Sequence, residues 1–318
     1  MTPRPGAASR GALRFCRAAL LITFLAAPLT AQAPPAGQMA APATATTAPP
    51  AILALVDNAI REGRFDAAGT LIARSRIDGD SPQLQLRTAE LFLATGDLAA
   101  AAIAFGDLLS LPGVAAAAGQ GLGLVRLRQF DLPAAITALD AALALDPDLA
   151  RAWTARGVAA DRGRDWPAAD AAYARAVALD PGSATILTNR GYSLMLRERF
   201  ADAEVDLARA VALDPALKTA ATNLRFARAM QGRYRDAFLG STRGGLAADL
   251  NTVGFAAMAR QDYATAETYF NRALALNSRF DRTAWANLEY LKSQTAPRTG
   301  VLPAAESGES NRRMQVAR

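Results

Sequence analysis

Apolar residues return along this chain at helical intervals, and the whole arrangement repeats about every 34 residues. Alanine holds one register seven times, at Ala68, Ala101, Ala135, Ala169, Ala203, Ala237 and Ala266. Three residues before each stands a larger apolar side chain: Phe65, Leu98, Leu132, Trp166, Phe200, Tyr234 and Tyr263. Leu-Asp-Pro closes three segments, with Pro147, Pro181 and Pro215 spaced 34 residues apart, and Pro112-Gly113 stands near the place one period earlier. Proline stops a helix, so the order within a period is helix, turn, second helix and break. Seven such units are predicted, starting near residues 49, 82, 116, 150, 184, 218 and 247. A lone helix from about Asp281 to Gln294 follows as a cap, with Trp285, Leu288 and Leu291 expected to pack inward and Glu289, Lys292 and Gln294 to face water. Two helices cross closely only over a small side chain, so the alanine register predicts the contact inside each hairpin.

One unit breaks the pattern. From Lys218 to Ala247 the spacing is 29 residues where 34 is the rule, and LGSTRGGL (residues 239–246) stands where a second helix is expected. Arg225 takes the small position of this unit and Arg228 an apolar one, while Gly232, Tyr234 and Ala237 keep the turn and the packing contact. The expectation is a truncated or partly unwound helix ending near Gly240, followed by a loop.

The unit from Ala150 carries Trp153, Gly157, Ala169, Tyr173, Ala176 and Pro181; the next carries Leu187, Gly191, Leu194, Ala203, Leu207, Ala210 and Pro215. These resemble the large, small, aromatic and proline positions of the tetratricopeptide repeat (TPR), a 34-residue unit of two antiparallel helices. The resemblance implies an all-α fold, a TPR α-solenoid of about seven helix-turn-helix repeats plus a C-terminal capping helix. The superhelix is expected over residues 49–294.

Composition narrows the chemistry. The chain of 318 residues has no histidine and a single cysteine, Cys16. Zinc sites of the usual kind, Ser-His-Asp or Cys-His catalysis and a disulfide framework are therefore not expected. No catalytic residue, metal ligand or cofactor is assigned, and the protein is expected not to be an enzyme. Arg4, Arg10, Arg14 and Arg17 precede the apolar run AALLITFLAAP and then Ala31-Gln32-Ala33, the layout of a secretory signal peptide over residues 1–33. The run is too short for a membrane span, and no transmembrane span is expected in the mature chain. Cleavage near Ala33 would remove four arginines and no acids, lowering the net charge from +6 to +2. The high isoelectric point is thus no argument for a nucleic-acid partner. Residues 34–48 and 295–318, rich in small and polar residues with Pro and Gly, read as a linker and a tail without fixed structure.

Two local motifs invite chemistry and fail. GQGLG (Gly119–Gly123) lacks the third glycine of a nucleotide loop and follows no strand; Gly123 instead holds the small packing position of its repeat. Asp78-Gly79-Asp80 begins like a calcium loop but has Pro82 at the third ligand position, so a turn between repeats is expected.

What remains is the groove. The TPR resemblance implies that the first helices line a concave face, and residue by residue it points to Thr188, Asn189, Tyr192, Met195, Thr222, Asn223, Phe226, Met230, Asn251, Phe255 and Met258. Asparagine can bond to both the donors and the acceptors of an extended peptide, and aromatics with methionine offer adaptable apolar contact. Tyr192, Phe226 and Phe255 could equally pack between repeats. The units before these carry fewer such residues, so binding is expected in the C-terminal half.

A narrower resemblance lies in residues 250–291, where Asn251, Gly254 and Phe255 and then Ala284, Trp285, Asn287 and Leu288 are similar to the closing repeat of TPR proteins of Tad/Flp pilus assembly. Such proteins are often lipoproteins, whereas Cys16 precedes the apolar run and no cysteine follows it. The expected function is a periplasmic interaction scaffold assisting pilus assembly or secretion, with protein or peptide partners of the cell envelope. The alternative is a general TPR adaptor in outer-membrane, polysaccharide or cell-wall biogenesis.

Overall fold

The computed structural model describes residues 49–76, 80–276 and 281–295. The signal-peptide segment 1–33, the linker 34–48, the tail from Ala296 and residues Asp78 and Gly79 lie outside the described residues. Among those described there are fourteen α-helices and no strand. They run as hairpins: α1 (Pro50–Arg61) with α2 (Phe65–Ser75), α3 (Pro82–Thr95) with α4 (Leu98–Leu108), and α5 (Ala115–Arg128) with α6 (Leu132–Leu145). Then come α7 (Ala150–Gly163) with α8 (Trp166–Leu179), and α9 (Ala184–Leu196) with α10 (Phe200–Leu213). The sixth unit has α11 (Lys218–Met230) followed only by a 3-10 turn, Asp236–Phe238. The seventh is α12 (Leu246–Ala259) with α13 (Tyr263–Leu276), and α14 (Arg282–Thr295) closes the array.

Local chemistry sets the hairpins. A residue just after each first helix has positive φ in all seven units: Gly63, Gly96, Phe130, Arg164, Glu198, Gly232 and Gln261, between +60° and +88°. Four second helices are capped by aspartates, with Asp97, Asp131, Asp165 and Asp262 accepting from the backbone N–H three residues on, at 3.0–3.2 Å. In Leu-Asp-Pro, Asp146 and Asp214 each accept from the N–H two residues later, at 3.0 and 2.9 Å, so the side chain turns the backbone into the next unit.

Inside each hairpin the seven register alanines are buried. The larger residues three before them are only half-buried, with Tyr263 the most exposed. A second small position lies on the first helix. A Cβ added to Gly123, Gly157, Gly191 or Gly254 would meet Leu139, Tyr173, Leu207 or Phe270 at 2.5–2.8 Å. Each of those partners stands sixteen residues further along. Gly121 likewise admits the Phe105 ring of the preceding unit, 2.2 Å from where its Cβ would be. The glycines of GQGLG are packing residues.

First helices of successive units pack on one another (α1 on α3, α3 on α5, α5 on α7, α7 on α9, α9 on α11), while second helices pack chiefly on their neighbours in sequence. That asymmetry curves the stack and puts the first helices on its inner face. Arginines stitch units together along it. Arg128 donates to Leu93 O and Arg162 to Leu127 O, both 35 residues back, and Arg260 donates to Met230 O at 2.6 Å, 30 residues back. Each acceptor is a last-turn carbonyl beyond the reach of the α-helical ladder.

At the irregular unit the structure replaces helix by charge. The second helix is reduced to the 3-10 turn, and Gly240 has φ +81°. Ala237 keeps its contact and is buried. Arg225, at the position glycine holds in neighbouring units, is 7% exposed and reaches Ser241, sixteen residues on, with Nη2–Oγ 3.3 Å. The sizes are exchanged: elsewhere a glycine faces a large side chain, and here a large side chain faces a serine. Asp249 of α12 neutralises Arg225 at 2.8 Å. Arg228 bonds to Glu204 of α10 at 2.9 Å and to Asp236 O at 3.2 Å, and Gln231 and Arg233 bond to the same carboxylate at 2.9 and 2.7 Å. Burial raises the Glu204 carboxyl, but the hydrogen bonds from Arg228 and Gln231 and the nearby arginine charges leave it below its ordinary range.

The cap departs from expectation at one residue. Leu288 and Leu291 are buried, but Trp285 is 47% exposed; its neighbour Ala284 is the buried residue, packed with Leu250 and Ala273. A terminal helix has only one covered side, and a rotation of one residue carries the indole off it.

Candidate peptide-binding face

The inner face is built by the first helices α1, α3, α5, α7, α9, α11 and α12, and all eleven residues expected in the groove lie on the last three. Tyr192, Met195, Phe226 and Met230 are buried in one core cluster, and Met258 is buried in the next. Phe226 sits between Phe200 and Phe255, with ring centroids 6.4 Å away on both sides. Of the two readings left open, packing between repeats holds for Tyr192 and Phe226. Phe255 is only half-buried. Thr188 is buried and donates back to Ala184 O at 2.7 Å. Asn223 is buried, and its Nδ2 has no hydrogen-bond partner among the described residues. Asn189, Thr222 and Asn251 are half-buried, and Asn251 Oδ1 accepts from Asn287 of α14 at 3.0 Å. The face is therefore a packed aromatic and methionine floor carrying a row of amides and a hydroxyl.

Beneath the same half lies a buried carboxylate. Asp161, in the last turn of α7, accepts from Ser193 Oγ at 2.6 Å and from Tyr173 OH at 2.9 Å, so it links three helices of two units. Burial pushes its pKa up to about 6, against the hydrogen bonds from Ser193 and Tyr173. Arg197 lies nearby and is itself clamped to Asp170 by two bonds, at 2.7 and 2.8 Å.

The N-terminal half carries charges that the sequence pattern did not single out. Arg87 of α3 makes a two-bond pair with Asp57 of α1, at 3.0 and 2.9 Å. Glu90 of α3 lies 3.9 Å from Arg151 of α7, and Gln120 of α5 is buried. The register that locates Asn189 and Asn251 leads to Arg87 in unit two and Gln120 in unit three, while Glu90 is the ninth residue of unit two and Arg151 the second of unit four. Asparagine and aromatic side chains are the usual marks of such a groove, and these four are neither.

Residues 121–184 and 155–218 match the family model described as tetratricopeptide repeat. No curated protein matches the sequence. Among solved structures, the chain is similar to the APC/C hetero-tetramer Cut9–Hcn1, at 16% identity over 75% of this chain and 48% of that one, with a TM-score of 0.57. It is also similar to a thermophilic TPR protein of Thermus thermophilus (21% identity, 59% of this chain and 98% of that one, TM-score 0.49). A TPR protein of Parabacteroides merdae aligns at 12% identity over 76% and 97% of the two chains, with a TM-score of 0.48. The hairpin order, the small residues at each crossing and the family match agree on one conclusion: residues 121–218 are tetratricopeptide repeats, and the described chain folds as a TPR α-solenoid.

Proposed function

We propose that this protein is an exported, non-catalytic interaction scaffold that holds an extended segment of a cell-envelope partner against the inner face of its C-terminal half. The row Asn189, Thr222 and Asn251 over the packed floor, with Phe255 half-open beside it, is the observation that carries the reading. A main-chain amide needs a donor and an acceptor side by side, and a carboxamide supplies both. Export is supported by the basic residues, apolar run and Ala31-Gln32-Ala33 at the N-terminus. Pilus assembly of the Tad/Flp type is the partner class supported by the resemblance of residues 250–291.

The test is recovery of cross-linked partners of the full chain from envelope fractions, compared with an Asn189→Ala plus Phe255→Ala variant of equal melting temperature. The reading expects loss of the partners in the variant and pilus or secretion components among those lost. An unchanged partner set would overturn the groove. Mass measurement of the exported chain checks the N-terminus, with Pro34 expected first.

A further inference from the structure

The inner face holds a second place where hydrogen-bonding capacity is left unused, well away from the row just described. Arg151 is the centre of it. Its Nε is buried with no partner, and its guanidinium finds no hydrogen-bond acceptor among the described residues. Glu90 approaches it only to 3.9 Å, too far for a hydrogen bond, with the two side chains 18% and 22% exposed. Gln120, on the helix between them in sequence, is 8% exposed, and its Oε1 also has no partner among the described residues. Buried polar groups are nearly always paired, and two orphans on one face mark a place built for something else.

The surrounding charge decides what that is. Asp57 has both oxygens taken by Arg87, so that pair is closed and neutral. Arg128 spends its bond on the Leu93 carbonyl, which leaves its charge uncompensated. Arg151 thus has a second cation, Arg128, near it as well as the anion Glu90. Burial lowers the pKa of Arg151, Glu90 raises it and Arg128 lowers it further; burial likewise raises the Glu90 carboxyl. Desolvation leads both shifts, and of the charges acting on Arg151 one, Glu90, attracts and one, Arg128, repels. An added carboxylate would accept from Arg151.

We infer that Arg151, on the helix packed against the one that carries Gln120, is a subsite for an acidic side chain of a bound peptide. Glu90, 3.9 Å away, sits beside the guanidinium without taking its hydrogen bonds. The subsite does not depend on the C-terminal row, and a partner spanning both would run along most of the inner face.

The experiment is selection from a random library of short peptides, blocked at both ends, on the full chain and on Arg151→Gln, Arg151→Lys and Phe255→Ala. Blocking removes the terminal carboxylate, so any acid selected is a side chain. On the unaltered chain one position should favour Asp or Glu over Asn or Gln by at least about tenfold. That preference should vanish in Arg151→Gln and persist in Arg151→Lys and Phe255→Ala. Calorimetry of the selected peptide and its Glu→Gln counterpart should repeat the ratio on the unaltered chain. The inference is overturned by the absence of any acidic preference, by a preference that survives in a helical Arg151→Gln, or by one abolished by Phe255→Ala alone.

Discussion

Replacing Arg225 by methionine isolates what holds the shortened unit together. Methionine keeps most of the arginine's length and volume, so little cavity is opened and the loss is electrostatic. Arg225 is 7% exposed and the Asp249 side chain 12%, with 2.8 Å between nitrogen and oxygen. Removing one partner of such a pair strands the other, at about 3–5 kcal/mol. The bond to Ser241, long at 3.3 Å, adds on the order of 1 kcal/mol or less. Arg225→Met is expected to cost about 3–5 kcal/mol. Asp249→Leu added to it should recover most of that loss, because an apolar pair filling the same space is about neutral or better than the ion pair it replaces. Urea unfolding followed by circular dichroism gives the energies, and hydrogen exchange locates them. Protection should fall in α11 and α12 and remain in α1 to α8, because each unit of such an array is held only by its neighbours. A cost below about 1 kcal/mol, or a double variant less stable than the single one, would refute the assignment of Arg225 as the substitute for the missing helix.

Three further outcomes follow from the packing and the buried charge. Ala203→Leu, at a fully buried crossing beside Gly191 and Leu207, should lose about 1–3 kcal/mol in the same urea assay. Glu198→Gly, at an exposed turn residue with φ +63°, should gain up to about 1 kcal/mol, read as a higher melting temperature. Asp161 has its pKa raised from 3.8 to about 6, so the folded chain binds the extra proton between those values and its stability falls as pH rises through them, by about 3 kcal/mol. Asp161→Asn should remove that component, seen as a difference between the two unfolding curves from pH 4 to pH 6.5; identical pH profiles would show that Asp161 does not contribute it.

How much of this was legible in the sequence depended on periodicity. Seven alanines in one register marked the crossings, because a close helix contact admits little else and its demand recurs with every unit. The shortening at residues 239–246 was visible for the same reason, as a gap in a count. The exchange of Arg225 with Ser241 was not, since an arginine at a small position reads as damage until the side chain it replaces is known to be missing. The floor residues Tyr192 and Phe226 have the composition of a binding surface and of a core alike, and only burial separates them. Arg151 and Glu90 are 61 residues apart and meet only through the curvature of the stack. Trp285 shows the converse limit: periodicity finds the apolar side of a helix but not which of two adjacent residues turns inward.

The backward-reaching arginines give the array a direction in time. A first helix leaving the ribosome has spare carbonyl capacity at its end, and Arg128, Arg162 and Arg260, which take it up, belong to units not yet made. Each of these three hairpins supplies, as it docks, a donor to the helix end behind it. At these three joints the acceptor is synthesised before its donor, and between the sixth and seventh units the donor follows its acceptor by 30 residues where the other two follow by 35.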